Sequence, residues 1–377
     1  MKVEFFKHNI GPSEKQKVME CLDGIFLTTG SYVSEFETKF AAYVKTKYSV
    51  GLTSCTAALH LSLLALGIKE GDEVITTPMT FIATANAVLY TGATPVFVDV
   101  DKNTGLIDPA LIEKAITSRT KAILPVHLYG QMADMKVIKK IADKHHLKVI
   151  EDAAHCIEGV RDDLRPGQFS DISCFSFYAT KNITSGEGGA IATNHEDLAQ
   201  KIRLLRSHGM SKQAADRYTS HYQHWDMEFL GWKYNMSNIQ AALLLTQIDD
   251  IEGNCARREE ICRKYESAFR NESNIQLLKI AANSKSARHL FTILVDPKRR
   301  DEILWKLQDL GIGVAVNYRA IHLLDYLQKR LGYSAGDFPH AEEIGLRTIT
   351  LPMYPKLNDQ EINYVIESVK KVVNAHA

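Results

Sequence analysis

The chain has 377 residues, of which 45% are hydrophobic and 24% are charged, and its 45 basic and 45 acidic residues give a formal net charge of zero. This composition is typical of a globular enzyme with a large core or two domains. A neutral chain without a basic run gives no electrostatic reason to expect binding to nucleic acid or to an anionic membrane. The first residues are too polar for a secretory signal, and no stretch approaches the roughly 20 apolar residues of a membrane helix, so we expect a cytoplasmic protein.

The six cysteines do not predict a disulfide framework or a structural zinc site, because no two of them form a C-x-x-C pair and the chain is large. We expect reduced thiols that behave as small buried hydrophobes, and no metal site.

Strand-like and helix-like patterns alternate between Tyr48 and Asp152. The strand-like runs are YSVGL, EVITTP, TPVFVDV, KAILPVHLYG and LKVIED, and the helical patterns between them are TAALHLSLLALGI, FIATANAVLY, DPALIEKAI and DMKVIKKIADKHH. Short runs rich in Val and Ile are typical of strands buried on both faces. The alternation therefore predicts an α/β fold with a mainly parallel, doubly wound sheet.

The rest of the chain predicts a second, smaller unit. Two more strands, DISCFSFYA and GGAIAT, precede a helix that is expected to stop at Gly209. One long helix is predicted from near Ser237 to Phe269, and it is followed by a strand (HLFTILVD), a helix (RDEILWKLQDLGI), a strand (GVAVNY) and a closing helix (NDQEINYVIESVKKVV). We predict a large domain at residues 1–250 and a smaller α+β domain at residues 251–377.

Hydroxyl residues follow the first predicted strand, at the end where open α/β sheets bind ligands. Thr53, Ser54 and Thr56 lead into a helix, and the free N–H groups of a helix N-terminus suit a phosphate. Ser and Thr are also the preferred helix caps, so an ordinary cap is the alternative. The chain contains neither a P-loop nor a dinucleotide fingerprint.

Three further residues at strand ends have both a chemical and an ordinary interpretation. Phe81 opens a helix, where it could stack on a flat ring or belong to the core. Asp152 ends a buried strand, where it could pair with a protonated ring nitrogen or cap a helix. His155 could belong to the same site or be a structural histidine.

Lys181 lies within SFYATKNITSGEGGAIAT, among aromatic residues, hydroxyls and glycines that permit close backbone approach. It is either a surface lysine in a loop or an amine held in a pocket for an aldehyde. Taken with the hydroxyls, Phe81 and Asp152, it completes the groups that pyridoxal 5′-phosphate requires. These are a Schiff-base lysine, a carboxylate for the pyridine nitrogen, helix-end hydroxyls for the phosphate and an aromatic cover.

Longer segments carry a resemblance to a known family. LTSCTAALHL, TPMTFIATANA, HLYGQMADM, IEDAAH, SFYATKNITSGEGGAI and LGWKYNMSNIQAALLLTQI resemble the sugar-nucleotide aminotransferases, the DegT-like branch of fold-type I pyridoxal-phosphate enzymes. The likeness covers nearly the whole chain. It implies the fold-type I architecture, with a large domain whose mainly parallel sheet is flanked by helices and a smaller C-terminal α+β domain, and it implies a homodimer with shared active sites.

The resemblance also implies roles for single residues. Lys181 would form the Schiff base and shuttle a proton, and Asp152 would pair with the pyridine nitrogen. His155, where many relatives have Gln, would lie near the ring hydroxyl of the cofactor.

The remaining cofactor contacts come from the same resemblance. Thr56, Ala57 and Ser176 would hold the phosphate, and Phe81 would cover the ring. Asn235 would reach the phosphate bound by the neighbouring subunit.

Only the resemblance indicates which substrate class the protein uses. The family transfers an amino group from L-glutamate to a keto carbon of a nucleotide-linked sugar, for cell-surface glycan or secondary-metabolite biosynthesis. SFYATKNIT, and GEGG in place of the commoner GDGG, resemble the branch that aminates C4 of UDP-linked sugars.

Relatives contact the sugar nucleotide through segments matching FLTTGSYVSEFE and NYRAIHLLDYL, so Thr29, Arg319 and His322 are substrate-binding candidates. Arg319 could instead form a surface ion pair, and His322 could lie beside a helix cap.

Two other functions stay open. A sugar 3-dehydratase uses the same cofactor without transfer, but that branch carries His at the lysine position, and Lys181 argues against it. A non-catalytic sensor could use the same fold, since fold does not fix function, although the presence of every cofactor group disfavours it.

Overall fold

The computed structural model describes residues 1–211 and 224–375. The α-helices are α1 (Pro12–Leu22), α2 (Ser31–Val44), α3 (Cys55–Ala65), α4 (Ala83–Tyr90), α5 (Pro109–Ala115), α6 (Met135–Lys144), α7 (Glu196–Leu205), α8 (Asn238–Asp249), α9 (Ile251–Phe269), α10 (Arg300–Asp309), α11 (Asp325–Leu331), α12 (Pro339–Arg347) and α13 (Asp359–Asn374). The strands are β1 (Tyr48–Leu52), β2 (Glu73–Thr76), β3 (Thr94–Phe97), β4 (Thr120–Ile123), β5 (Lys148–Asp152), β6 (Val160–Arg161), β7 (Ile172–Ser176), β8 (Gly189–Thr193), β9 (Ser284–Lys285), β10 (Phe291–Leu294) and β11 (Thr348–Leu351).

A seven-stranded sheet in the order β1-β8-β7-β5-β4-β2-β3 forms the centre of the molecule. Strand β8 is antiparallel to both of its neighbours, whereas the pairs from β7 to β3 are parallel. All residues of β2, β7 and β8 are buried, as expected for strands covered on both faces. The predicted α/β fold with a mainly parallel sheet is confirmed.

Helices cover both faces of this sheet, because successive strand residues point to opposite sides. In β5, Ile150 packs into the cluster that contains α3, and Val149 packs into the cluster that contains α6. In β7, Cys174 joins the α3 cluster, whereas Phe175 makes an edge contact with Phe40 of α2. The resulting three layers leave the carboxyl ends of β5 and β7 side by side.

A second hydrophobic cluster lies around the two-stranded sheet of β10 and β11, with α9, α10 and α13. Tyr265 and Phe269 of α9 contact Phe291 of β10 in its interior. Val3 pairs with Ile312 and packs into the same cluster, so the first residues of the chain associate with this C-terminal part. The division into residues 1–250 and 251–377 stays a prediction.

Three element predictions were wrong in detail. The long helix after Ser237 is two helices, because Asp250 leaves the helical conformation (φ −94°, ψ 3°) between α8, which packs on α1 and α2, and α9, which packs with α13. The helix expected to stop at Gly209 already ends at Leu205. Instead of a strand, GVAVNY forms an isolated bridge between Ala315 and Thr350.

All six cysteines are buried, as expected for thiols that behave as small hydrophobes. Within residues 1–211 and 224–375, no helix is long and apolar enough to cross a bilayer.

Candidate active site

A cavity of about 500 Å³ opens at the carboxyl ends of β5 and β7. It brings together seven of the residues that the sequence singled out. These are Ser54, Thr56, Phe81, Asp152, His155, Ser176 and Lys181. This placement agrees with the rule that open α/β sheets bind ligands beyond the carboxyl ends of their strands.

Lys181 stands in the turn that follows β7, where its backbone N–H donates to the Tyr178 carbonyl at 2.9 Å. The side chain is partly accessible from the cavity, but the surrounding protein removes water from the amine. This burial lowers the pKa of Lys181 to about 8, against opposing effects of Cys55 and Asp152. The amine is therefore neutral in a substantial fraction of molecules near pH 8, as a nucleophile must be.

Asp152 is the last residue of β5, and both of its carboxylate oxygens accept hydrogen bonds. Oδ2 accepts from the Thr84 hydroxyl at 2.7 Å, and Oδ1 accepts from the Ala154 N–H at 3.1 Å. Burial raises the pKa of Asp152, while these two donors and Lys181 oppose the increase. A cation beside the carboxylate would favour its ionised form further. Thr84 was not predicted from the sequence.

His155 lines the cavity, and its hydrogen bonds show which ring nitrogen carries the proton. Nδ1 accepts from the Tyr129 backbone N–H at 3.3 Å, so the proton of the neutral ring must sit on Nε2. Nε2 lies 3.1 Å from the Tyr318 hydroxyl. Burial, helped by the charge of Lys181, holds the pKa of His155 well below its usual value. The imidazole is therefore a neutral donor.

Two contacts of His155 come from the C-terminal part of the chain. Tyr318 stacks on its ring with centroids 5.9 Å apart, and His289 lies 4.4 Å from it. Neither residue was predicted as part of the site. The loop NYRAIHLLDYL was singled out, but the resemblance directed attention to Arg319 and His322 instead of Tyr318.

The turn before α3 combines a helix cap with a cavity-facing hydroxyl. The Ser54 hydroxyl accepts from the Ala57 N–H at 3.1 Å, which confirms that Ser54 is a cap. Thr56 and Ser176 line the cavity beside it. A Cβ on Gly189 would lie 2.3 Å from the Ser54 carbonyl carbon, so only glycine permits this approach of β8 to the turn.

Phe81 is 54% exposed and lies at the cavity wall, 5.9 Å from the Tyr318 ring. The alternative that it is a core residue is therefore wrong.

These side chains fit a phosphorylated pyridine aldehyde. The cavity offers an amine, a buried carboxylate, the His155 N–H, an aromatic face, and hydroxyls at a helix N-terminus that suits a phosphate. Burial raises the pKa of the Asp152 carboxyl, and a protonated ring nitrogen beside it would offset this effect.

The other predicted residues lie outside the cavity wall. Ala57 is buried behind the turn, where its N–H is taken by Ser54. Asn235 donates to the Thr29 hydroxyl at 2.8 Å, and that hydroxyl donates to the Met236 carbonyl at 2.7 Å. Thr29 and Asn235 thus form one cluster of their own.

The two candidates from the NYRAIHLLDYL loop are placed differently from each other. Arg319 is exposed beside Tyr318 and forms no ion pair within the part of the chain that the structure describes. His322 is fully buried, with Nε2 3.1 Å from Glu342 and its ring 4.8 Å from that of Phe338. The structure does not bring His322 to the cavity.

Comparison with known proteins identifies the family. The profile of the DegT/DnrJ/EryC1/StrS aminotransferase family matches residues 8–370. The spore coat polysaccharide biosynthesis protein SpsC of Bacillus subtilis is 44% identical over 370 residues, which cover 97% of this chain and 95% of that protein. An uncharacterised protein of Methanocaldococcus jannaschii, MJ1066, is 43% identical over 375 residues, which cover 98% and 97% of the two chains.

Solved structures agree with the sequence relatives. The putative sugar aminotransferase Spr1654 of Streptococcus pneumoniae in its PMP form superposes with a TM-score of 0.94 at 31% identity, covering 99% of each chain, and its PLP form gives 0.93. PseC of Helicobacter pylori, an aminotransferase involved in pseudoaminic acid biosynthesis, gives 0.93 at 30% identity and covers 100% of each chain. The chain therefore belongs to the DegT/DnrJ/EryC1/StrS aminotransferase family, as a pyridoxal-phosphate-dependent aminotransferase of fold type I.

Proposed function

We propose that the enzyme transfers an amino group from L-glutamate to the C4 keto carbon of a UDP-linked sugar, and that Lys181 is the residue that binds the cofactor covalently. The single observation that carries the proposal is the Lys181 amine, which lies in the cavity with a pKa lowered to about 8 and with Asp152 close enough to affect it. The relatives support a sugar as acceptor, since SpsC is named for polysaccharide biosynthesis and PseC for pseudoaminic acid biosynthesis.

The residues divide the work of the reaction. When bound, pyridoxal phosphate supplies an aldehyde for the amino group and a ring that takes up electrons when a proton leaves the substrate. The Asp152 carboxylate would keep the pyridine nitrogen protonated, and Thr84 keeps that carboxylate oriented. The Lys181 amine, once free, would move the proton between the two carbons that flank the transferred nitrogen, one of the substrate and one of the cofactor, which requires a pKa near the working pH.

The residues of the cavity wall would bind the cofactor and exclude water from it. The His155 Nε2–H would donate to the ring hydroxyl, for which it would exchange its contact with the Tyr318 hydroxyl, 3.1 Å away at the cavity wall. Thr56 and Ser176 would donate to the phosphate. Phe81 would cover one face of the ring and shield it from solvent.

The substrates carry anionic groups, which basic side chains would bind. Among the described residues that line the cavity, Lys181 is the only lysine or arginine. Arg319, exposed next to Tyr318 at the wall and without an ion pair among the described residues, is the candidate for a substrate phosphate or carboxylate. Asn235 and Thr29, clustered outside this cavity, would contribute to the site of a second copy in a homodimer.

The choice of C4 and of UDP rests on the resemblance of SFYATKNITSGEGG to C4-aminating relatives. The competing dehydratase lacks the lysine, and a sensor would have no use for an amine with a lowered pKa. The product would serve polysaccharide biosynthesis or a related pathway.

A panel of nucleotide ketosugars tests the proposal. UDP- and dTDP-linked 3-keto and 4-keto sugars are incubated with L-glutamate, release of 2-oxoglutarate is followed, and the product is assigned by NMR, with Lys181→Ala as the inactive control. We expect nitrogen at C4 of the UDP-linked sugar. Nitrogen at C3, or reaction with dTDP-sugars alone, would refute the substrate assignment. Absence of 2-oxoglutarate with every sugar would refute glutamate-dependent transfer.

A further inference from the structure

Asn182, the residue after Lys181, has every hydrogen-bonding group of its carboxamide occupied. Its Nδ2 donates to Glu158 Oε2 at 2.8 Å and to the Ala287 carbonyl at 3.0 Å, and its Oδ1 lies 3.0 Å from His289 Nδ1. A carboxamide has two N–H groups and one carbonyl oxygen to engage, so this side chain is held from three directions.

These contacts fix the protonation of His289. A carboxylate and a carbonyl can only accept, so the amide nitrogen must face them and Oδ1 must accept from His289. His289 therefore carries its proton on Nδ1. It is also nearly fully buried, and burial together with His155 and Lys181 holds its pKa well below the usual value. A neutral Nδ1–H imidazole is the form that this arrangement requires.

A buried ion pair stands behind the carboxamide. Glu158 is fully buried, and its other oxygen pairs with the Arg258 guanidinium, which is 2% exposed. The Arg258 Nε–H also donates at 3.3 Å to the Ala287 carbonyl that Asn182 uses. Three separate segments, namely the turn after β5, helix α9 and the stretch before β10, thus meet at Asn182.

None of Glu158, Asn182, Arg258 and His289 is among the residues that line the cavity. Asn182 reaches the chemistry through the turn that carries Lys181. His289 also contacts the cavity through the ring of His155, 4.4 Å away, so Asn182→Ala is the variant that changes the turn alone. We infer that Asn182, fixed by His289 and by the Glu158–Arg258 pair, is a positioning residue that holds the Lys181 amine at its reacting place in the cavity. The inference rests on the role of Lys181 proposed above.

Loss of this anchor has a defined consequence. The Lys181 N–H donates to the Tyr178 carbonyl, and the other ties of this turn begin three residues further on. There Thr184 exchanges backbone hydrogen bonds with the Gln247 carboxamide, and the Thr184 hydroxyl and the Ser185 N–H both donate to the Phe177 carbonyl. Without the carboxamide the turn can pivot, and the amine gains access to water. Misplacement of a reacting group by about 1 Å can reduce a rate by about 100-fold.

Three variants of the reconstituted holoenzyme test the inference. Asn182→Ala removes all three contacts. His289→Leu removes the donor to Asn182, whereas His289→Asn keeps an N–H at the Nδ1 position. Asn274→Ala, which removes a surface carboxamide paired with Asn374, is the control for loss of an asparagine. The readouts are the visible absorbance of the bound pyridoxal phosphate as a function of pH, the rate and KM of the half-reaction with L-glutamate, and the thermal midpoint.

We expect Asn182→Ala and His289→Leu to move the pH midpoint of the absorbance change and to slow the half-reaction by about 10- to 100-fold, with KM for L-glutamate within about 2-fold. His289→Asn should restore most of the rate and the midpoint. The inference is overturned if Asn182→Ala keeps the wild-type pH profile, or if His289→Asn and His289→Leu are equally impaired. It is also overturned if the rates follow the thermal midpoints alone. The pH profile needs no sugar and no glutamate, so a wrong substrate assignment would leave this test intact.

Discussion

Replacing Lys181 with methionine is expected to stabilise the cofactor-free protein at pH 7 while abolishing amino transfer. Burial lowers the pKa of Lys181 from the ordinary 10.5 to about 8, so the folded state holds the lysine proton less tightly than the unfolded state does. A tenfold change in an ionisation constant corresponds to about 1.4 kcal/mol, which gives a cost of roughly 3 kcal/mol for the buried ammonium. The side chain is partly open to the cavity, and solvent screening reduces this to ~2 kcal/mol.

The pH dependence has a definite sign. Below pH 8 the ammonium is present in both states, so the folded wild type bears the full cost. Between pH 8 and 10.5 the folded protein has lost a proton that the unfolded chain still carries. Stability of the wild type relative to Lys181→Met therefore rises across this window. Above it the amine is neutral in both states and the cost disappears.

Urea denaturation of both cofactor-free proteins at pH 7 and at pH 10, at one protein concentration, measures this difference. Lys136→Met, which replaces an exposed lysine, controls for the gain of a methionine and should show no such pH dependence. If Lys181→Met is no more stable than the wild type at pH 7, or if its advantage is the same at pH 10, the amine is not desolvated in the folded protein.

Three further predictions concern the roles of single residues. Asp152→Asn should leave the fold intact but reduce turnover by about 100-fold or more, because an amide cannot favour a protonated ring nitrogen; near-normal rates in steady-state assays would reduce Asp152 to a structural group. Thr84→Val removes the 2.7 Å hydrogen bond to Asp152, so cofactor affinity measured by absorbance titration should fall about 10-fold, whereas unchanged affinity would show that the Ala154 N–H suffices. Co-expressed Lys181→Ala and Asn235→Ala chains should form heterodimers with one working site, because Asn235 lies outside its own cavity; isolated heterodimers as inactive as both parents would contradict an action across the interface, as would a fully active Asn235→Ala homodimer.

The cavity could be predicted from the sequence to the extent that its groups follow strands. Asp152 is the last residue of β5, Lys181 lies in the turn after β7, and the hydroxyls of the α3 turn follow β1, so local patterns placed them at one edge of the sheet. Thr84 could not be predicted because it lies inside an apolar helical pattern. The role of its hydroxyl becomes visible only when the helix packs beside Asp152.

Local sequence patterns could not predict contacts between segments that are distant in the chain. His289 and Tyr318 meet His155 only when the C-terminal part folds against the central sheet, more than 130 residues further along the chain. His322 looked equally suited to a substrate in the sequence, but folding places it against Phe338 and Glu342. The break between α8 and α9 was missed for the same reason, because the apolar pattern continues through Asp250 while the two helices pack on different clusters.

The central claim, that Lys181 is the amine that binds the cofactor, is tested most directly by borohydride reduction of the holoenzyme followed by peptide mapping. We predict a yellow protein whose colour is lost on reduction, with one pyridoxyl label, carried by the peptide that contains Lys181. Lys181→Ala should bind the cofactor without a stable label. A label on another lysine, or no visible absorbance after pyridoxal phosphate is added to the wild type, would contradict the account.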